Sequence, residues 1–150
     1  MNLDAFISKL NGLEVKAEAV LMETIFEEAP VANREQLAKG VKSDENQISF
    51  PSGRTTYSPS YKKQKARKGL QNKYVDLKYS GDFYKSIEVK KRSESKFELV
   101  SGDTLWTGKL RPVFGKEVLG LNQEATLQVE QEAEKDLTAF LIKELKWAAK

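Results

Sequence analysis

The sequence predicts an α+β domain: long N-terminal and C-terminal helices packed on a small antiparallel β-sheet, with long loops suited to inter-subunit contact. Three observations predict it. Apolar residues recur at spacings of three and four near both ends, they alternate with polar residues between 87 and 101, and turn-forming residues dominate the stretches between. With 150 residues the chain has the length of one domain, 1–150, able to bury about 68–70% of its unfolded surface.

Residues 3–28 form the first expected helix. Leu3, Phe6, Ile7, Leu10, Leu13, Ala17, Val20, Leu21, Thr24 and Ile25 share one face. Asn11-Gly12 is a weak point in it, and Pro30 reads as its stop. Residues 31–40 read as a short second helix, with Asn33 as N-cap and Gly40 as its C-terminal signal. Residues 41–59 are rich in Ser, Asn, Asp, Gly and Thr, with Ile48 and Phe50 as their strong apolar anchors. So long a loop is expected to be an arm that orders against a neighbour.

Ser58-Pro59 opens a short helix running toward Gly69, with Pro59 at its first position. It is polar nearly all round, leaving Tyr61 and Leu70 as its only anchors. A short extended segment follows at 75–79, then a single helical turn, DFYKSI, with Ser80 as its N-cap. The hairpin spans 87–101: IEVKK and KFELVS alternate Ile87, Val89, Phe97 and Leu99, with the turn at Ser93-Glu94-Ser95. Residues 102–120 are irregular yet carry Leu105, Trp106, Val113 and Phe114, too apolar for a solvated linker. Asn122 caps the last helix, 123–148, whose stripe is Val129, Ala133, Leu137, Phe140, Leu141 and Leu145.

Composition narrows the chemistry. Cysteine and histidine are both absent, which removes disulfides, thiolate nucleophiles, imidazole bases and the usual zinc ligands. Asp76, Asp82 and Asp103 sit near turns, where local hydrogen bonding accounts for them, and no glycine pattern matches a phosphate-binding loop. No catalytic residue, cofactor or metal is therefore expected. The start, MNLDAFISKL, does not read as a secretory signal, and no apolar run reaches membrane-spanning length.

Charge is concentrated. Residues 57–78 hold seven Lys/Arg against Asp76, a local +6 within a chain of net +3, interleaved with Tyr57, Tyr61 and Tyr74 and followed by Tyr79 and Tyr84. Lys62, Lys63, Lys65, Arg67, Lys68 and Lys73 are thus candidates for a solvated face, for docking on an acidic neighbour, or for phosphate contact with DNA or RNA. A single arginine, Arg67, limits bidentate phosphate recognition in that block.

The order of segments carries a resemblance. GVKSDENQI at 40–48 precedes YSPSYKKQKARKGL, then VDLKYSGDFYKSIEV and, after the hairpin, FGKEVLGLNQE. This plan, over residues 40–130, resembles the tail-completion or neck proteins at the head–tail junction of tailed phages, in particular phages of Bacteroidetes hosts. Ser80-Gly81-Asp82-Phe83-Tyr84 and Leu119-Gly120-Leu121 match best, while residues 102–112 depart from the pattern. The resemblance implies a non-enzymatic virion protein assembled in the host cytoplasm: a homo-oligomeric ring around the DNA channel, beside portal, connector or tail proteins. It implies only non-specific DNA contact, and the lack of a membrane-spanning apolar run adds the expectation of no membrane partner. In that setting the basic residues named above would meet carboxylates of a neighbour, and Leu105, Trp106, Val113 and Phe114 would supply inter-subunit apolar contacts. A small non-sequence-specific nucleic-acid-binding protein using residues 62–78 is the alternative.

Overall fold

The computed structural model describes residues 3–148. Side chains of residues 3–6, 9 and 147–148 lie outside the described set, and with them Leu3 and Phe6 of the expected stripe. The order is α1 (Leu3–Ala38), α2 (Pro59–Arg67), α3 (Asp82–Lys85), β1 (Ile87–Ser93), β2 (Lys96–Ser101), a π-helical turn (Trp106–Leu110), α4 (Arg111–Phe114), a 3-10 turn (Lys116–Val118) and α5 (Gln123–Ala148).

The expected break after residue 28 does not occur. One helix runs through both Gly12 and Pro30, absorbing the anticipated second helix. Proline's fixed φ is compatible with a helix, and its cost is the lost backbone hydrogen bond together with the crowding of its ring against the carbonyl four residues back. Packing outweighs that cost, because Ala29 and Ala32 beside Pro30 are buried against Val89 of β1 and Ala125 and Val129 of α5. Asn33 is accordingly no N-cap. It is fully buried, and its Nδ2 donates to the carbonyls of Val118 at 3.1 Å and Gly120 at 2.7 Å. One turn on, Gln36 donates to the Gly120 carbonyl and accepts from Asn122 N–H.

Gly40 does end the helix. Its φ of +76° lets its N–H reach the Leu37 carbonyl and the Val41 N–H reach that of Gln36. A Cβ there would meet Tyr74 Cδ2 at 2.6 Å. Gly40→Ala should therefore lower stability by about 1–3 kcal/mol, read as a fall in the urea midpoint. An unchanged midpoint would mean that neither the left-handed backbone nor the Tyr74 and Val75 contacts oppose a side chain there.

The segment after Gly40 packs on its own chain. Ile48 is fully buried, Ser43 N–H bonds the Glu117 carbonyl, and Glu45 Oε1 accepts the Gln123 N–H at the start of α5. Residues 51–54 are exposed. The expected arm is thus anchored within the subunit. Residues 102–120 are ordered in the same way: Trp106, Phe114 and Val118 are core, with Asp103 Oδ1 capping Trp106 N–H. They join Leu37, Tyr57, Val75, Phe83 and Ile87 in the main cluster.

The hairpin stands where alternation put it, antiparallel with Val89 opposite Leu99, and only Glu94 and Ser95 form the turn. Ahead of α3, Gly81 at φ +90° takes the cap position, and Ser80 Oγ accepts Asp82 N–H from one residue earlier. Asn122 caps α5 through Ala125 N–H, as read from the sequence.

Helices α1 and α5 run antiparallel, with Lys16 meeting Glu144, Thr24 meeting Asp136, and Lys39 meeting Glu124. At 36 residues α1 is about 54 Å long. The head built from residues 39–122 packs on its C-terminal part, so the two helices project as a stalk. Leu13, Ala17, Val20 and Leu21 are half-buried against α5, whereas Ile7, Leu10 and Leu145 are exposed.

Candidate assembly surface

The basic block does not form one surface. Helix α2 starts as expected, with Ser58 Oγ accepting Tyr61 N–H, and ends before Gly69 at φ +68°. Its inward face, however, is Tyr61 and Lys65, one helical turn apart. Lys65 is 0% exposed, so it is removed from the candidate contacts. Its ammonium donates to Asp76 Oδ1 at 2.5 Å and to the Lys78 carbonyl at 2.8 Å, and lies 4.6 Å from the centre of the Tyr57 ring. Each proton of a buried ammonium thus has a partner, which a charge taken out of water requires.

Asp76 is equally committed. Tyr57 Oη donates to its Oδ1 at 2.9 Å and accepts the N–H groups of Asp76 and Leu77, while Tyr84 Oη donates to its carbonyl. Burial pushes both phenols well above the usual tyrosine range, and the Asp76 charge adds to this. Both remain protonated donors. The network ties α2 to the segment 75–79 and turns the lysine-rich helix into a wall of the core.

Lys63, Arg67, Lys68 and Lys73 are exposed and Lys62 is half-buried, so these five are available at the surface. Lys68 Nζ sits 4.0 Å over the ring of Tyr79, itself packed on Tyr61 at 5.5 Å. Next to this stack opens a recess of about 340 Å³ walled by Phe50, Tyr57, Tyr61, Leu77, Tyr79, Leu105, Leu110 and Phe114, with Arg54 and Ser58 at its edge. Arg54 lies 4.9 Å over Phe50.

Of the four apolar candidates, Trp106 and Phe114 belong to the core at 4% and 8% exposure, whereas Leu105 and Val113 are 46% and 39% exposed. Trp106 stacks on Phe83 at 5.2 Å rather than waiting for a neighbour. Sequence reasoning missed Arg54, which lies in a polar loop. Its SGRTTY setting, an arginine between a turn and a tyrosine, was the available signal.

Charge divides along the fold. Residues 39–122 hold 18 Lys/Arg against 9 Asp/Glu, a net +9, while the two stalk helices, 3–38 and 123–148, hold 6 against 13, a net −7. The subunit is a basic head on an acidic stalk. Among the described residues no cluster of three acidic, His or Cys ligands is placed to hold a metal ion, and no helix is long and apolar enough to cross a membrane. The chain matches no family model, no curated protein and no solved structure.

Proposed function

We propose that this chain is a structural, non-enzymatic subunit that associates head-to-tail with copies of itself, and that the assembly is a ring of the head–tail connector or neck of a tailed phage, around the DNA channel. One observation carries the associative part: a +9 head and a −7 stalk on the same subunit. A heterologous contact needs two different, complementary patches on each copy, and it closes into a ring when its rotation allows. The phage setting rests on the order of segments between residues 40 and 130 and on the resemblance it carries. Neighbouring portal, connector or tail proteins would then meet the two faces of the ring, and DNA would pass through without sequence readout.

Mass photometry of the purified chain across a salt series tests the associative part. Oligomers at low salt should dissociate toward 1 M, where screening acts over about 3 Å. Assembly indifferent to salt would remove its electrostatic basis. The competing reading, a small nucleic-acid-binding protein, draws on the exposed lysines around Tyr79, because a tyrosine flanked by cations is a stacking platform. A gel shift with duplex and single-stranded DNA separates the two. Tight binding by a monomer, abolished by Lys62→Glu, Lys63→Glu and Lys68→Glu together, would favour the competitor.

A further inference from the structure

The charge division leaves open which surfaces meet, and two partly exposed apolar features answer each other. One is a second stripe on α1. Val15, Ala19, Met22 and Phe26 follow one another at spacings of four, three and four, so they line one side of the helix. That side is turned away from α5, which takes Leu13, Ala17, Val20, Leu21 and Thr24. Val15 is 67% exposed, the most exposed large apolar side chain among the described residues. Phe26 is 40% exposed even with its edge-on contact to Phe97, and Met22 is half-buried with the Lys91 ammonium 3.9 Å from its sulfur. Glu18 and Glu23 flank the stripe on opposite sides, and neither has an ion pair among the described residues.

The other feature is the aromatic recess in the head. Its walls come from residues 50–61, 77–79 and 105–114, with none from α1, α5 or the hairpin. Stripe and recess therefore lie on different elements of one subunit and share no residue, so they can serve as the two distinct patches of a head-to-tail contact. At about 340 Å³ the recess has the capacity of a small ligand site. One of its walls, Leu105, is 46% exposed, however, an apolar surface that a helix would cover and a small molecule would not. Arg54 and Lys68 stand over the aromatic rings at its rim and supply the sign that Glu18 and Glu23 lack.

We propose that the recess of one copy receives the Val15, Ala19, Met22 and Phe26 stripe of the next, with Arg54 and Lys68 facing Glu18 and Glu23. The contact has an apolar centre and a charged rim, the usual anatomy of a specific interface. It rests on the self-assembly reading above and names the surfaces that make it.

The absence of cysteine makes the test direct. In the full-length chain, Val15→Cys and Leu105→Cys together should give a ladder of disulfide-linked copies under mild oxidation, and neither substitution alone should. Reversing the rim on one side (Arg54→Glu with Lys68→Glu) or on the other (Glu18→Lys with Glu23→Lys) should weaken association about tenfold or more, and combining all four should restore it. Covalent dimers from Val15→Cys alone would mean that stalks pair with stalks, overturning the proposal. So would oligomers that form as in the wild type in both rim-reversed variants, and so would loss of DNA binding without loss of association on reversing Arg54 and Lys68. These three outcomes leave self-assembly standing. A wild-type chain that stays monomeric at high concentration and low salt removes both readings.

Discussion

Lys65→Met is expected to cost the fold about 3–5 kcal/mol, because it strands a carboxylate in the interior. Asp76 is 3% exposed, and its Oδ1 would keep only Tyr57 O–H and Lys78 N–H as donors. Methionine supplies the lysine stem's apolar volume, so the loss isolates the ammonium rather than the packing. Exposed Lys63, two residues away on the same helix, is the control, and Lys63→Met should fall within about 0.5 kcal/mol of the wild type. Urea denaturation of both variants decides it. Equal stabilities for the two would mean that the pair between α2 and the 75–79 segment carries no net stabilisation. Adding Asp76→Leu to Lys65→Met should recover only part of the loss, since Tyr57 O–H and Lys78 N–H then lose an acceptor.

That lysine also marks where the sequence ceased to be readable. In a helix with Lys62, Lys63, Lys65, Arg67 and Lys68, periodicity cannot single out the inward cation, since no apolar stripe exists to orient the helix. The available clue was Asp76, the lone acid between residues 57 and 78. A local +6 with one carboxylate invites the question of which lysine that carboxylate meets. The hairpin and the capped start of α5 were legible because alternation and an Asn N-cap are local signals, and the structure keeps both. The passage of α1 through Pro30 was not, since it depends on Ala29 and Ala32 meeting Val89, Ala125 and Val129 from distant parts of the chain. Tertiary packing there overrides a local breaker.

The basic head and acidic stalk were half legible. The basic block and the carboxylates of α5 are plain in the sequence. That α1 lies alongside α5, so that the two acidic helices sum on one body, follows only from their antiparallel pairing. The recess was hidden for a related reason: its walls gather three separate stretches of the chain.

Two adjacent residues offer the sharpest separation of core from contact surface. Trp106→Ala should cost about 3–5 kcal/mol, the range for deleting a buried large aromatic. The indole is 4% exposed, its ring lies 20° from parallel with Phe83 at 5.2 Å, and its turn holds α4 and Phe114 in place. Leu105→Ser, one position earlier, removes a side chain that is 46% exposed, and should leave stability within about 0.5 kcal/mol of the wild type. Leu105 is nevertheless part of the recess wall, so this variant should weaken association while its urea midpoint stays unchanged. Trp106→Ala should show the opposite order, losing cooperative unfolding before any effect on association can be read. A stably folded Trp106→Ala chain that merely fails to associate would return Trp106 to the interface and contradict its place in the core. If Leu105→Ser associates like the wild type, the recess wall carries none of the contact.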